Sequence, residues 1–180
     1  MQASVYIATS LDGFIARENG DLDWLQGSDG EAQENSEDFG FQSFMDSVDV
    51  LVMGRNTFEK VQSFGQWPYG EKLVIVLSSK PLQIPIGLGK IESIFCSPKE
   101  LVKKLSEKGA KHLYIDGGKT IQSFLKEGLI HQLTITRVPI LLGHGISLFG
   151  SIIDHDILLK HIETKSYTNG FVQSKYEVCR

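Results

Sequence analysis

The stretch DVLVMGRNTFE, Asp49 to Glu59, runs four apolar residues straight into Gly54, Arg55, Asn56 and Thr57. With Val50 to Met53 as a strand and a helix beginning at Asn56, the first-turn N–H groups point out of the C-terminal edge of a sheet. Such a turn is an anion site, because those N–H groups have no partner inside the helix and the helix dipole favours negative charge. Arg55 adds a bidentate partner for phosphate, Thr57 adds a hydroxyl, and Gly54 removes the side chain that would block close approach. The same residues also suit a glycine turn beside a surface arginine.

YIDGGKTIQSFL, from Tyr114 to Leu125, repeats the layout of strand, glycines and helix start. Open α/β sheets take their ligands in the crevice beyond such strand ends, and two turns of this kind suit a pyrophosphate. After VIVL, residues Ser78, Ser79 and Lys80 offer hydroxyls and a cation for a further phosphate, or else a capped turn before Pro81. Neither GxGxxG nor GxxxxGK[ST] occurs, so an ordinary Rossmann site and an NTPase are both unsupported. What remains is a dinucleotide held by separated strand ends.

Asp38 is the candidate acid. In an apolar pocket its pKa would be raised, and it could hold or orient a proton near an imine being reduced. As an aspartate at the start of a helix it would instead be favoured by the dipole. Asp12, Asp21 and Asp23 read as loop solvation. Trp24, Phe41, Trp67 and Tyr69 suggest a planar substrate or ordinary packing, with Trp24 either closing over the substrate or anchoring its loop. The five histidines lack ligand spacing, and no metal site is expected.

The elements that must position these residues alternate β-rich runs with helix-period segments, the pattern of a mostly parallel sheet covered on both faces. Strands are expected at Ser4 to Thr9, Val50 to Gly54, Lys72 to Ser78, Ile91 to Cys96, His112 to Asp116 and Gln132 to Leu141. Helical spacing of Phe41, Phe44, Met45 and Val48 predicts a helix over Glu37 to Val48. Ser97-Pro98 opens another, with Gly109 as its stop, and Gly117-Gly118 precedes a third ending near Gly128. Thr168-Asn169-Gly170 joins the last two strands as a hairpin. Gly20 to Glu37 is acidic, polar and long enough to be a lid.

With 180 residues the chain suits a single domain, 1–180, and 41% hydrophobic with 22% charged residues is ordinary for a globular protein. A net charge of −4 gives no reason to bind nucleic acid or an anionic membrane. No apolar run approaches a transmembrane length, Asp12 interrupts the only candidate leader, and Cys96 and Cys179 form no CxxC pair. A cytoplasmic location is expected.

SLDGFIA, GDLDW, VMGRNTFE, IVLSSKP and IDGGKTIQSFL stand in the order and approximate spacing of the dihydrofolate reductase fold. VPILLGHGISLF, Val138 to Phe149, resembles more closely the reductase domain of the bifunctional riboflavin-biosynthesis deaminase-reductase. The resemblance implies a three-layer α/β/α fold, with a mixed, mostly parallel sheet of about eight strands and an antiparallel C-terminal hairpin. It implies an NADPH-dependent reductase related to 5-amino-6-(5-phosphoribosylamino)uracil reductase and dihydrofolate reductase. Gly54, Arg55 and Thr57 would hold phosphates, with Arg55, Ser78, Ser79 and Lys80 near the adenosine 2′-phosphate. Gly117, Gly118, Lys119 and Thr120 would meet the pyrophosphate, and main-chain groups of Ala8 and Ile15 the nicotinamide carboxamide. Asn56, Leu77, Ile115 and Ile121 complete the cofactor contacts. Asp38, sixteen residues before Gly54, matches the carboxylate that hydrogen-bonds the pterin.

Departures from the pattern bear on the substrate. Glu71 and Lys72 follow Gly70 where dihydrofolate reductase has an arginine for the folate glutamate. Phe14 stands where the riboflavin-pathway reductases carry lysine, and EKVQSFGQWPYG replaces their acidic Asp-Asp-Pro. Asp116 replaces a glycine. A small heterocyclic substrate, with Trp24, Phe41 and Tyr69 against it, is the resulting expectation; the alternative is a dinucleotide-binding or ligand-sequestering protein without turnover. LTITRVPILLG, read as a long edge strand, would pair with its copy in a homodimer.

Overall fold

The computed structural model describes residues 1–26, 38–150 and 155–179. Its strands are β1 (Gln2–Ser10), β2 (Phe14–Ala16), β3 (Val50–Gly54), β4 (Leu73–Leu77), β5 (Lys90–Ile94), β6 (His112–Asp116), β7 (Gln132–Val138), β8 (Ile146–Ser147), β9 (Leu159–Ser166) and β10 (Val172–Val178). Its α-helices are α1 (Phe41–Ser47), α2 (Arg55–Gln62), α3 (Pro98–Glu107) and α4 (Gly118–Lys126). Eight strands form one sheet in the order β5-β4-β3-β6-β1-β7-β10-β9, and β2 pairs with β8 in a separate ribbon. Pairing is parallel from β5 through β7, then antiparallel through β10 and β9.

Alternation along the central strands builds two cores. Val52, Ile75, Leu113 and Ile115 join Leu101, Leu105, Ile121 and Phe124 of α3 and α4 on one face. Leu51, Met53, Val74, Val76 and Tyr114 join Met45, Phe58 and Val61 of α1 and α2 on the other. Strands buried on both faces read as continuous apolar runs, which is why VLVMG and LVIVL were legible.

Three expectations are corrected. α1 begins at Phe41 because Phe39 (φ 53) and Gly40 (φ 85) are left-handed and cannot continue a helix backwards. β7 ends at Val138, since Pro139 has no N–H for a ladder. β7 is also an interior strand, paired with β1 on one side and β10 on the other, so it offers no edge to a second copy. The sheet edge on that side is β9, all of whose residues are exposed.

The expected lid falls largely on residues 27–37, outside the described residues. Its described start is tied down: Asp21 pairs with Lys60 of α2 at 3.0 Å and Asp23 with Arg17 at 2.7 Å. Trp24 is 3% exposed, packed with Val138 and Phe171 in a third small core, so it anchors the loop.

Candidate active site at the strand ends

α2 follows β3 directly and α4 follows β6 directly, so both helices start at the C-terminal edge of neighbouring strands. Each begins on a glycine, Gly54 or Gly117, and neither has a side-chain cap. α3, at the far end of the same edge, has a full capping box between Ser97 and Glu100. The first turns of α2 and α4 thus lack the side-chain acceptor that α3 carries.

The two starts interlock. A Cβ added to Gly117 would overlap Thr57 Oγ1, and one added to Gly54 would come 3.1 Å from Thr120 Oγ1. The third residue of each helix thus covers the glycine that opens the other. Gly117, at φ 86 and ψ 137, adopts a backbone reserved for glycine. Gly118 is covered in turn by Ile15, with a Cβ there meeting Ile15 Cδ1 at 3.0 Å and the Ser147 carbonyl at 3.3 Å. The β2–β8 ribbon, which periodicity missed because its strands are so short, clasps the α4 start in this way; Gln122 Nε2 donates to the Ser147 carbonyl at 3.0 Å.

Beside this pair of turns lies a cleft of about 490 Å³ lined by Arg55, Asn56, Glu59, Leu77, Ser78, Ser79 and Lys80. The sequence-expected phosphate residues are brought together, with Glu59 added. Arg55 Nε donates to Glu59 Oε1 at 2.7 Å and its Nη1 to the Pro81 carbonyl at 3.1 Å. Ser78 Oγ donates to the Lys80 carbonyl at 2.8 Å, holding the turn. Lys119 is exposed on the first turn of α4. Ile115 and Ile121 are fully buried in the first core, where their side chains support the turns from beneath.

The adjoining crevice opens between β1 and β6. Their pairing stops at Ser4–Tyr114, although β1 continues past Ala8 to Ser10 and β6 to Asp116. This is where strand order reverses, the position at which open sheets take ligands. The Tyr114 hydroxyl spans the gap and donates to the Tyr6 carbonyl at 2.9 Å. Phe44 stacks on Tyr6 with centroids 4.8 Å apart, and Phe41 lies 5.6 Å from Tyr6. Gln173 Nε2 from β10 reaches Tyr6 Oη at 2.9 Å and Thr136 Oγ1 at 3.0 Å, while Tyr6 Oη donates to the Phe39 carbonyl. A different open cavity, of about 550 Å³, lies beside α1 toward the N-terminal ends of β1, β6 and β7, walled by Gln2, Ser4, Tyr6, Phe44, His112 and Gln132.

The acid assignment changes. Asp38 is exposed, its Oδ1 accepting from Gly40 N at 2.9 Å and its Oδ2 from Gln42 N at 3.0 Å. These two N–H donors hold its pKa below the usual value. Among the described residues no apolar pocket encloses Asp38, whose carboxylate braces the entry to α1. Asp116 has the environment expected of Asp38. Burial pushes its pKa up to about 6 against the opposing pull of the Gly117 N–H, which donates to Oδ1 at 2.8 Å. The residue keeps some accessible surface at the crevice, yet its carboxyl is deeply enclosed. Tyr69, 8% exposed and packed edge-on to Trp67, is pushed up by burial first and by Asp116 second. Tyr6, Tyr114 and Gln173 were not singled out from sequence; their strand positions carried no signal beyond packing.

Residues 4–173 match the profile of the RibD C-terminal domain. The chain belongs to that family. Among its relatives, the uncharacterized protein YwjB of Bacillus subtilis (strain 168) is 33% identical over 147 residues, covering 81% of this chain and 80% of YwjB. The crystal structure of a putative riboflavin biosynthesis protein from Shewanella sp. PV-4 superposes with a TM-score of 0.91 at 43% identity, each chain covered fully. Dihydrofolate reductase from Enterococcus faecalis, in complex with NADP(H) and RAB-propyl, shares the fold with a TM-score of 0.66 at 19% identity, over 99% of this chain and 97% of that one. The family and the dihydrofolate reductase-like fold implied by the motifs are those found. Among the described residues no group of three or more His, Cys, Asp or Glu is placed to hold a metal, and no helix is long and apolar enough to cross a membrane.

Proposed function

We propose that this protein is an NADPH-dependent reductase of the RibD C-terminal family, acting on a small heterocyclic molecule that carries a C=N or C=O group. The observation that carries the reading is the pair of uncapped helix starts, Gly54–Thr57 and Gly117–Thr120, interlocked beside the β1–β6 crevice. Their N–H groups suit a pyrophosphate, and the residues fit a dinucleotide. Arg55, Ser78, Ser79 and Lys80 would hold the 2′-phosphate in the adjoining cleft, and Ala8 and Ile15 would orient the nicotinamide through main-chain groups. When bound, the dinucleotide supplies hydride; the chain supplies position and exclusion of water. Phe41, Phe44, Tyr6 and Tyr114 form the aromatic wall against which a planar ring would lie. The kinship with the riboflavin-pathway reductases favours a pyrimidine-like ring, while Phe14 and Glu71 argue against folate and against a close copy of the riboflavin precursor.

Titration with NADPH and with NADH, followed by quenching of tryptophan fluorescence, tests the reading. Tight NADPH binding with weak NADH binding is expected; absence of both would reduce the family kinship to fold alone.

A homodimer is proposed through β9 instead of β7. The strand is an exposed edge, and Leu158, Leu159 and Ile162 lie exposed along it, so pairing with its own copy would satisfy the free ladder groups and cover that apolar surface. Sedimentation should give a dimer that Ile162→Lys converts to monomer; a monomeric native protein would refute it.

A further inference from the structure

We propose that Asp12 is a positioning residue for the nicotinamide half of this site: its carboxylate ties the β1–β2 turn to the segment after β7 and so sets where the β2–β8 ribbon stands over the start of α4. The inference rests on the dinucleotide reading above and adds to it the residue that decides how firmly the second half of the dinucleotide is held. The expectation of loop solvation is corrected, for the side chain is exposed and yet both of its oxygens are engaged. Oδ1 accepts from Ser10 Oγ at 2.6 Å and from Leu142 N at 3.1 Å, and Oδ2 accepts from Gly143 N at 2.7 Å. These donors, the Ser10 hydroxyl first and then the two N–H groups, hold its pKa down at about 2, so the group is a carboxylate near neutrality. Leu142 and Gly143 stand 130 and 131 residues further along the chain.

β2 and β8 form a sheet of their own, paired through Phe14–Ser147 and Ala16–Ile146. So short a two-stranded ribbon has no stability by itself, and its place is set by what grips its ends. At one end Gln122 Nε2 of α4 donates to the Ser147 and Leu148 carbonyls at 3.0 and 3.1 Å. At the other end Asp12 acts twice. It gathers the backbone of Leu142 and Gly143 onto the turn, beside the bonds from Leu11 N to the Ile140 carbonyl at 2.8 Å and from Leu148 N to the Gly13 carbonyl at 3.1 Å. It also takes the proton of the buried Ser10 hydroxyl, which leaves an Oγ lone pair for Phe14 N at 2.9 Å. Ile15 follows directly, its side chain against Gly118 and its main chain the group assigned above to the nicotinamide.

An amide is a poor substitute for this carboxylate. Three donors converge on it, and an asparagine would turn its own N–H groups toward one of them. The cleft assigned to the 2′-phosphate is built from α2 and the turn after β4 and shares no residue with the tether. Asp12 therefore governs the nicotinamide half of the site and leaves the adenosine half alone.

The test compares NADPH with adenosine 2′,5′-bisphosphate, which offers the 2′-phosphate and no nicotinamide, by calorimetry on the wild type, Asp12→Asn and Ser10→Ala. Expected in Asp12→Asn is a loss of about tenfold or more in NADPH affinity. Adenosine 2′,5′-bisphosphate should stay within about twofold of wild type, as for independent sites. Ser10→Ala, which keeps the Leu142 and Gly143 bonds, should show the same split in smaller measure, and it decides the matter if Asp12→Asn does not fold. Equal losses for both ligands would make Asp12 a brace of the fold as a whole and overturn the proposal, as would unchanged NADPH affinity in the variants that fold; either result leaves the dinucleotide reading intact. Failure of the wild type to bind NADPH would overturn both.

Discussion

Thr57 of α2 rests on Gly117, the residue that opens α4, so closely that no side chain fits between them. A methyl at 117 must displace Thr57 and also occupy a backbone region open only to glycine. Gly117→Ala should therefore lower stability by about 1–3 kcal/mol from the backbone alone, with a further loss from the overlap. Gly54→Ala, at φ −85 and 3.1 Å from Thr120 Oγ1, should melt close to wild type while weakening NADPH binding. Adding Thr57→Ala to Gly117→Ala should recover part of the loss. Equal melting temperatures for the two glycine variants would remove the interlocking argument.

Arg55 spends its Nε on Glu59, inside the cleft assigned to the 2′-phosphate. A charge-assisted phosphate bond is worth about 1.5–3 kcal/mol, so Arg55→Ala should cost NADPH about tenfold or more in affinity and NADH little. Glu59→Gln should act in the opposite sense, freeing the guanidinium and removing a like charge. Parallel dissociation constants for the two nucleotides decide it: an equal loss of both in Arg55→Ala is incompatible with a 2′-phosphate role.

Asp38→Asn should leave reduction rates unchanged, because the carboxylate braces backbone N–H groups and holds no proton near neutrality. Asp38→Ala, losing both acceptors, should lower the melting temperature. With the folded pKa depressed, the contribution of Asp38 is full above the ordinary carboxylate range and disappears as pH falls through the folded value. The difference between wild type and Asp38→Ala should accordingly vanish in acid; a large drop in turnover for Asp38→Asn would restore it as the acid.

Asp116 titrates in the reverse sense. Its folded pKa of about 6 lies above the unfolded value of ~3.9, so the folded state binds more protons between those limits and stability falls as pH rises through them. The fall is worth about 2–3 kcal/mol, and Asp116→Asn should abolish it, gaining stability at pH 7 relative to wild type. Urea midpoints from pH 4.5 to 7.5 read this directly. Parallel pH curves for the two proteins would mean that the carboxyl is not held in the enclosure described.

What could be read in the residues followed from how local its cause was. Gly54–Arg55 and Gly117–Gly118 each announce a strand end and a helix start within four or five residues, so both turns were legible. Their mutual packing was not, because Thr57 and Thr120 meet the opposite glycine across sixty or more residues of chain. Asp38 looked like an acid because its spacing fits the resemblance, but the left-handed pair Phe39 and Gly40 turns Gly40 N and Gln42 N onto its carboxylate. Asp116 stood in plain view as a departure from glycine; only the parting of β1 from β6, a tertiary event, shows why a carboxyl there matters. The two-residue β8 was invisible because so short a strand has no period.

β1 lies in the middle of the sheet, and Gln2 must wait for His112 as its neighbour and Ser4 for Gln132. Tyr6 is completed later still, by Gln173. β1 has both of its neighbours only once the chain is present through Val138, so closure of the long loops, not local helix formation, sets the pace of folding. Until then the exposed strand is a hazard for aggregation, and the crevice is assembled last, by residues as far apart in sequence as Tyr6 and Gln173.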